Sequence, residues 1–307
     1  MKFNYDVLII GAGSAGLSAA LALGRCRRRV LLADGGAARN TPSGAVHNFF
    51  SRDGIRPAAL LHLGHEQLVP YPTIEVKELK IKTLTKVAHG FEASGETGQG
   101  HAFGTTARRV LLATGVEDVL PPLPGFRELW GRGVLHCPYC HAYEVRDQPL
   151  AVYGRGKAGV GLALLLSRWS AEVVLVTDGP SHLTDYARQR LRRQGIGVRE
   201  EPVARLVGTA QTGLRCVEFA DGTYLERAAL FLHPPQEQRS PLAAEQGARL
   251  NKKGAVWVDK NAQTTVPGLY AAGDMVPGQQ QALLAAASGS KAGICLNEAL
   301  TREDVAR

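Results

Sequence analysis

A chain of 307 residues, 45% hydrophobic and 21% charged, has the composition of a globular protein and excludes disordered and fibrous classes. Its net charge of +8 would draw acidic partners, yet aromatics are only 6% and do not interleave with basic runs, so nucleic acid is not an expected partner. No stretch approaches the roughly 18 consecutive apolar residues of a membrane span, and an N-terminus that runs straight into a glycine motif reads as a strand rather than a signal peptide, which gives a cytoplasmic expectation.

Residues 6 to 36, DVLIIGAGSAGLSAALALGRCRRRVLLADGG, predict an apolar strand, a glycine turn, an Ala/Leu-rich helix and a second strand ending in Asp34. This is a dinucleotide-binding unit. Gly11 permits the tight turn, Gly13 lets the backbone approach a pyrophosphate, Gly16 allows close helix packing, and Asp34 would take ribose hydroxyls. The basic run from Arg25 to Arg29 falls at the helix end, where cations meet the negative end of the dipole. Residues 74 to 110 predict paired strands with polar turns, and Val110, Leu111 and Leu112 a short buried strand running into Thr114 and Gly115. A linker follows near residues 116 to 122.

Next comes HCPYCHAYE, which places Cys137 and Cys140 one helical turn apart. Such a pair can close a disulfide, and at the start of a helix the dipole would favour a thiolate. His141 adjoins it as a candidate acid or base. The same letters spell the C-x-x-C-H signature of haem attachment, but the pair precedes a nucleotide-like unit and has no export signal. Zinc would require about four Cys or His ligands, and no second close cysteine pair exists, although His136 and His141 could contribute. Cys26, Cys216 and Cys295 are expected to be buried core residues.

Residues 150 to 179 repeat the first unit: a shift of 143 residues carries Gly11, Gly13 and Gly16 onto Gly154, Gly156 and Gly159. The residue matching Asp34 is Thr177, followed by Asp178, and no arginine cluster follows to hold a 2′-phosphate. Pro234, Pro235 and Pro241 mark a return crossing near residues 233 to 241. The last segment predicts a strand ending in Gly273 and Asp274, then a helix starting near Gln280 and Gln281 whose positive end would face an anion. The expected fold is α/β, with two Rossmann-like doubly wound domains, the second inserted into the first: 1–117 and 239–307 around 118–238.

Two glycine units, CPYC opening the second, an intervening ATG and a terminal YAAGD followed by QQA resemble the low-molecular-weight thioredoxin reductase family over nearly the whole chain. The resemblance implies FAD in the split domain, a redox-active Cys137–Cys140 disulfide in the inserted one, and a homodimer. By matching positions it implies flavin contacts at Gly11, Gly13, Ser14, Ala15, Gly16, Asp34, Asn48, Thr114, Gly115, Gly273, Asp274, Gln280, Gln281 and Ala282, with Arg39 and Asn40 as further candidates. His47 stands beside Asn48 in the same loop. Cys140 would face the flavin.

The missing basic motif after Val176 puts NADPH in doubt, and similar relatives draw electrons from ferredoxin or another donor. His141 replaces the acidic residue of many members, as in small-molecule dithiol oxidases of the superfamily. The expected activity is therefore FAD-dependent thiol–disulfide exchange with a thioredoxin-like protein. The alternative is a flavin-dependent oxidase of small dithiols that uses oxygen.

Overall fold

The computed structural model describes residues 3–36 and 38–306. The first glycine unit forms as β1 (Tyr5–Ile10), α1 (Ser14–Arg25) and β2 (Val30–Asp34), followed by α2 (Pro57–Glu66). Strands β3 (Ile74–Val87), β4 (Gly90–Thr97) and β5 (Ala102–Leu112) make an antiparallel meander. Its outer strands do double duty. Ile74 to Glu78 of β3 pair in parallel with β2, and the last residues of β5 pair in parallel with β1. The short strand expected at Val110 to Leu112 is thus the end of a longer one. Only that end is buried on both faces and reads as an apolar run; the preceding residues alternate between buried and open, as in a half-covered sheet.

The chain then passes through β6 (Val116–Asp118), β7 (Val134–Leu135), the single turn α3 (Pro138–His141), β8 (Leu150–Tyr153), α4 (Gly156–Leu166) and β9 (Val173–Val176). It continues through α5 (Asp185–Arg193), β10 (Gly197–Arg199), the meander β11 (Val203–Thr209), β12 (Gly213–Phe219) and β13 (Tyr224–Glu226), then β14 (Ala229–Phe231) and β15 (Gln236–Gln238). Strands β10-β9-β8-β14-β7 form a parallel sheet in that order. Both halves of the chain therefore combine a parallel sheet with a three-stranded meander. The two connectors are not loose: β6 and β15 pair antiparallel, with Asp118 opposite Gln236. Proline can flank β15 because a two-stranded ribbon leaves outward-facing N–H groups unused.

Finally α6 (Leu242–Glu245), β16 (Leu269–Ala271) and α7 (Ala282–Val305) return to the first sheet, where β16 pairs with β5. Alternate residues of β1 and β2 feed two cores, Val7, Ile9, Val30 and Leu32 on one face and Leu8, Ile10, Leu31 and Ala33 on the other. That is the pattern of a parallel sheet covered on both sides. On the first face α7 lies close against α1, and a Cβ at Gly289 would overlap the Ala15 carbonyl. The basic run after α1 is spent on structure: Arg28 bonds Asn297, Thr301 and Asp304, and Arg29 bonds Asp6. Of the three cysteines outside CPYC, Cys216 is buried as expected, but Cys26 caps α1 in the open and Cys295 is half-buried. Among the described residues, no helix is long and apolar enough to cross a membrane.

Gly289→Val should lower stability by about 1–3 kcal/mol in urea denaturation, the usual cost of overpacking. Because α7 begins at the candidate site, the variant should also retain less bound nucleotide after gel filtration.

Candidate functional site

A cavity of about 590 Å³ opens over the first glycine turn and reaches the cysteine pair, a volume suited to a cofactor or its reacting portion. Gly11 takes φ +107°, and a Cβ there would strike the Ala113 carbonyl. Gly16 sits beneath it, where any side chain would collide with the Gly11 backbone, so it supports the turn and does not line the cavity. Gly13 meets nothing within 4 Å on its side-chain side and leaves the backbone open to the cavity. Ser14 and Ala15 follow at the start of α1, presenting free N–H groups. This cradle fits a dinucleotide pyrophosphate.

Asp34 ends β2 at the cavity wall, its Oδ1 accepting from the Gly36 N–H at 3.0 Å and its Oδ2 3.5 Å from His65 Nε2. A carboxylate offers about four acceptor sites, so capacity remains for ribose hydroxyls. Asn40, Thr114, Gly115, Gly273, Asp274, Gln280, Gln281 and Ala282 also line the cavity. Asn48 does not. Its backbone takes φ +60°, and its side chain donates to the Tyr139 carbonyl at 2.7 Å, tying the loop to the cysteine turn. His47 takes the cavity side instead, 3.4 Å from Glu144 and 3.5 Å from Asp53.

Arg39 is the centre of a half-buried polar cluster. Its guanidinium makes a bidentate pair with Asp118 at 2.7 Å on both arms and donates to Asp274 at 2.9 Å and to Gln280 at 2.8 Å. Gln236 donates to Asp118 and Gln280. The cluster therefore joins the loop after β2, both strands of the connecting ribbon, the end of β16 and the approach to α7. Burial pushes the Asp274 carboxyl above its ordinary range despite Arg39 beside it. Asp118 and Gln236 are not signalled by the sequence, because they lie in segments that read as connectors.

Cys137 and Cys140 form a disulfide, with Cα atoms 5.2 Å apart. Pro138 suits the first position of α3, where no N–H is needed. With only four residues, α3 carries a weak dipole, so the thiolate-favouring helix expected here is one turn long. Both cysteines line the cavity, and the Gln281 amide lies 4.0 Å from Cys140 Sγ. The pair thus sits against the start of α7. His141 Nε2 lies 2.9 Å from Ser43 Oγ, while its Nδ1 is enclosed without a hydrogen-bond partner. Burial pushes its pKa down, Glu144 opposes this and His47 adds to it. Among the described residues no group of three or more His, Cys, Asp or Glu is arranged to hold a metal ion.

The second glycine turn is built differently. Arg155 stands where the first has Ala12, and it folds back onto the Thr177 carbonyl at 2.5 Å and onto the Asp178 carbonyl. Asp178 does not point freely into a crevice: it accepts from Tyr153 Oη and from the Val203 N–H, each at 2.8 Å. Thr177 is buried and donates to the Gly179 carbonyl.

Two outcomes test this electrostatic arrangement. Arg39→Met strands Asp118 and Asp274 without their cation and should cost about 3–5 kcal/mol in denaturant unfolding, with Asp118→Asn in the same background recovering part of the loss. His136, beside Arg39, is pushed down to about 4 by burial first and by that cation second. Between about 4 and the ordinary 6.5 the unfolded chain binds a proton that the folded ring refuses. Stability is therefore complete above that window and falls as pH drops through it, with His141 and His233 adding in the same direction. His136→Gln should remove about one proton from the slope of stability against pH.

The family model described as pyridine nucleotide-disulphide oxidoreductase matches residues 5–289. Thioredoxin reductase tcpT of Claviceps purpurea is 33% identical over 88% of this chain and 86% of its own length. Thioredoxin reductase sirT of Leptosphaeria maculans is 29% identical over 95% and 93%. Among solved structures, HlmI superposes with a TM-score of 0.91 at 40% identity, covering 98% of this chain and 94% of its own. An oxidoreductase from Agrobacterium tumefaciens gives 0.89 at 32%, covering 98% and 99%. The chain belongs to the pyridine nucleotide-disulphide oxidoreductase family and is a thioredoxin-reductase-like, FAD-dependent disulfide oxidoreductase.

Proposed function

We propose that the chain oxidises a small dithiol at the Cys137–Cys140 disulfide, with no pyridine nucleotide as donor. Residues 118–238 would act as an inserted domain on the split domain formed by 1–117 and 239–307. FAD would be held by the Gly11–Ala15 turn at its pyrophosphate, by Asp34 at a ribose, and by Asp274 and the start of α7 toward the flavin. When bound, it supplies a two-electron carrier between the cysteine pair and dioxygen.

The carrying observation is Arg155. Its side chain spans the gap from the second glycine turn to the end of β9, the place where this fold seats the adenosine of a dinucleotide. Thr177 stands where the first unit has Asp34, and Asp178 beyond it is drawn toward Tyr153 and Val203, which supports weak ribose binding here. His141 supports the same direction: burial keeps it neutral near pH 7, so it can accept a thiol proton. The substrate thiolate attacks one cysteine sulfur, the Cys137–Cys140 bond breaks, and the other cysteine leaves as a thiolate. The second substrate thiol then displaces the mixed disulfide. A dithiol and a protein disulfide become a substrate disulfide and two protein thiols.

A second reading is reduction of a thioredoxin-like protein from a donor such as ferredoxin. It draws on the names of the fungal relatives and on Phe50, Tyr139 and Tyr143, which stand exposed around the cysteine turn as docking side chains would. By family resemblance we also propose a homodimer working in the cytoplasm.

Anaerobic addition of NADPH should leave the flavin bands unchanged, while excess dithiol bleaches them, and air should then yield hydrogen peroxide. Prompt bleaching by NADPH would overturn the proposal. Cys137→Ser and Cys140→Ser should each abolish dithiol turnover, a loss of at least a thousandfold on the order of other nucleophile deletions, while flavin absorbance is retained.

A further inference from the structure

An amide side chain can make four hydrogen bonds, two from its nitrogen and two to its oxygen. The Gln280 amide makes all four within the protein. Its Oε1 accepts from Arg39 and from Gln236, each at 2.8 Å. Its Nε2 donates to Gln236 Oε1 at 2.8 Å and to the Asp274 carbonyl at 3.2 Å. No capacity remains for a ligand. The orientation of both glutamines is fixed as well, because the chain of bonds is anchored at each end. Arg39 can only donate, so it must meet the oxygen of Gln280. The second N–H of Gln236 goes to Asp118 Oδ1 at 3.1 Å, and a carboxylate can only accept. Flipping either amide would set donor against donor or acceptor against acceptor.

We infer that the Gln280 side chain does not bond the cofactor, and that Gln236 and Gln280 form a pair of positioning residues that lock the start of α7 to the connecting ribbon. Gln236 belongs to β15 and lies outside the cavity lining, while Gln280 stands two residues before α7 and lines it. The reciprocal pair thus ties a strand returning from the cysteine-bearing half to the helix whose first residues line the cavity. Of the two neighbouring glutamines it is Gln281, 4.0 Å from Cys140 Sγ, that stands at the reacting centre. A helix N-terminus favours negative charge, so where α7 begins bears on how strongly the site prefers a reduced, anionic cofactor over the oxidised one. Gln236 acts on that preference without touching the cofactor. The inference rests on FAD occupying the cavity, and is indifferent to whether electrons arrive from a small dithiol or from a protein donor.

A double-mutant cycle on the holoprotein separates positioning from direct contact. FAD affinity is read from the fluorescence of flavin released on dilution, and the flavin midpoint potential from a spectroelectrochemical titration. Gln236→Met and Gln280→Met should each weaken FAD about three- to tenfold, the worth of a hydrogen bond, and the double variant should be no weaker than the weaker single one. The reduced cofactor should lose more than the oxidised one by a similar factor, a drop in midpoint potential of about 14–30 mV for a two-electron couple. Gln236→Ala and Gln280→Ala, which leave room for water, repeat the cycle should a methionine variant fail to fold. The inference is overturned if Gln280→Met weakens FAD further in the Gln236→Met background, the mark of a direct bond to the cofactor. It is equally overturned if Gln236→Met changes neither quantity. Asp34→Ala is the reference for the cavity itself: if it too leaves FAD affinity unchanged, the cavity assignment falls together with the inference. Bleaching by NADPH, which would overturn the small-dithiol reading, leaves the outcome of the cycle standing.

Discussion

The Arg39 guanidinium is the point at which the halves of this chain are held together. It satisfies Asp118 in a bidentate pair, Asp274 just after β16 and Gln280 before α7, so one half-buried cation ties the ribbon, the loop after β16 and the helix start together. Charge-assisted bonds of this kind are directional as well as strong. Were the ribbon seated elsewhere, β7 and the cysteine turn beyond it would not reach Gln281. The same cation, after burial, helps keep His136 uncharged.

The repeated glycine unit keeps one scaffold while the side chains on it differ, Arg155 for Ala12 and Thr177 for Asp34. Both copies keep the close packing of helix on turn, at Gly11 with Gly16 and at Gly154 with Gly159. In the first, Ala12 lines an open cavity; in the second, Arg155 takes its place and bonds to backbone carbonyls at the end of β9. The fold survives because the packing glycines survive.

Much of the site was legible before any coordinates. The first glycine turn, Asp34, the strand end at Asp274, the start of α7 at Gln281 and the CPYC pair converge on one cavity, since each is a local motif whose chemistry follows from neighbours in sequence. Asn48 lies off that cavity. Its left-handed backbone turns the amide toward Tyr139, a contact across 91 residues that no local pattern encodes. Asp118 and Gln236 were missed for the same reason: each is an ordinary polar residue in a connector and meets its partner far along the chain. Cys26 was expected inside because cysteine usually is, but it follows the last turn of α1 and faces out.

By itself, the sequence determined the duplicated α/β architecture, the cofactor class and the redox pair, because periodicity, glycine spacing and the C-x-x-C interval act within a few residues. Only the tertiary structure decided that the connectors pair, that Arg155 bonds back to the end of β9, and that Arg39 meets Asp118, Asp274 and Gln280. Those outcomes depend on which buried donors meet which acceptors. A buried polar group must be satisfied by whatever the fold brings to it, and that choice is made only when distant segments pack.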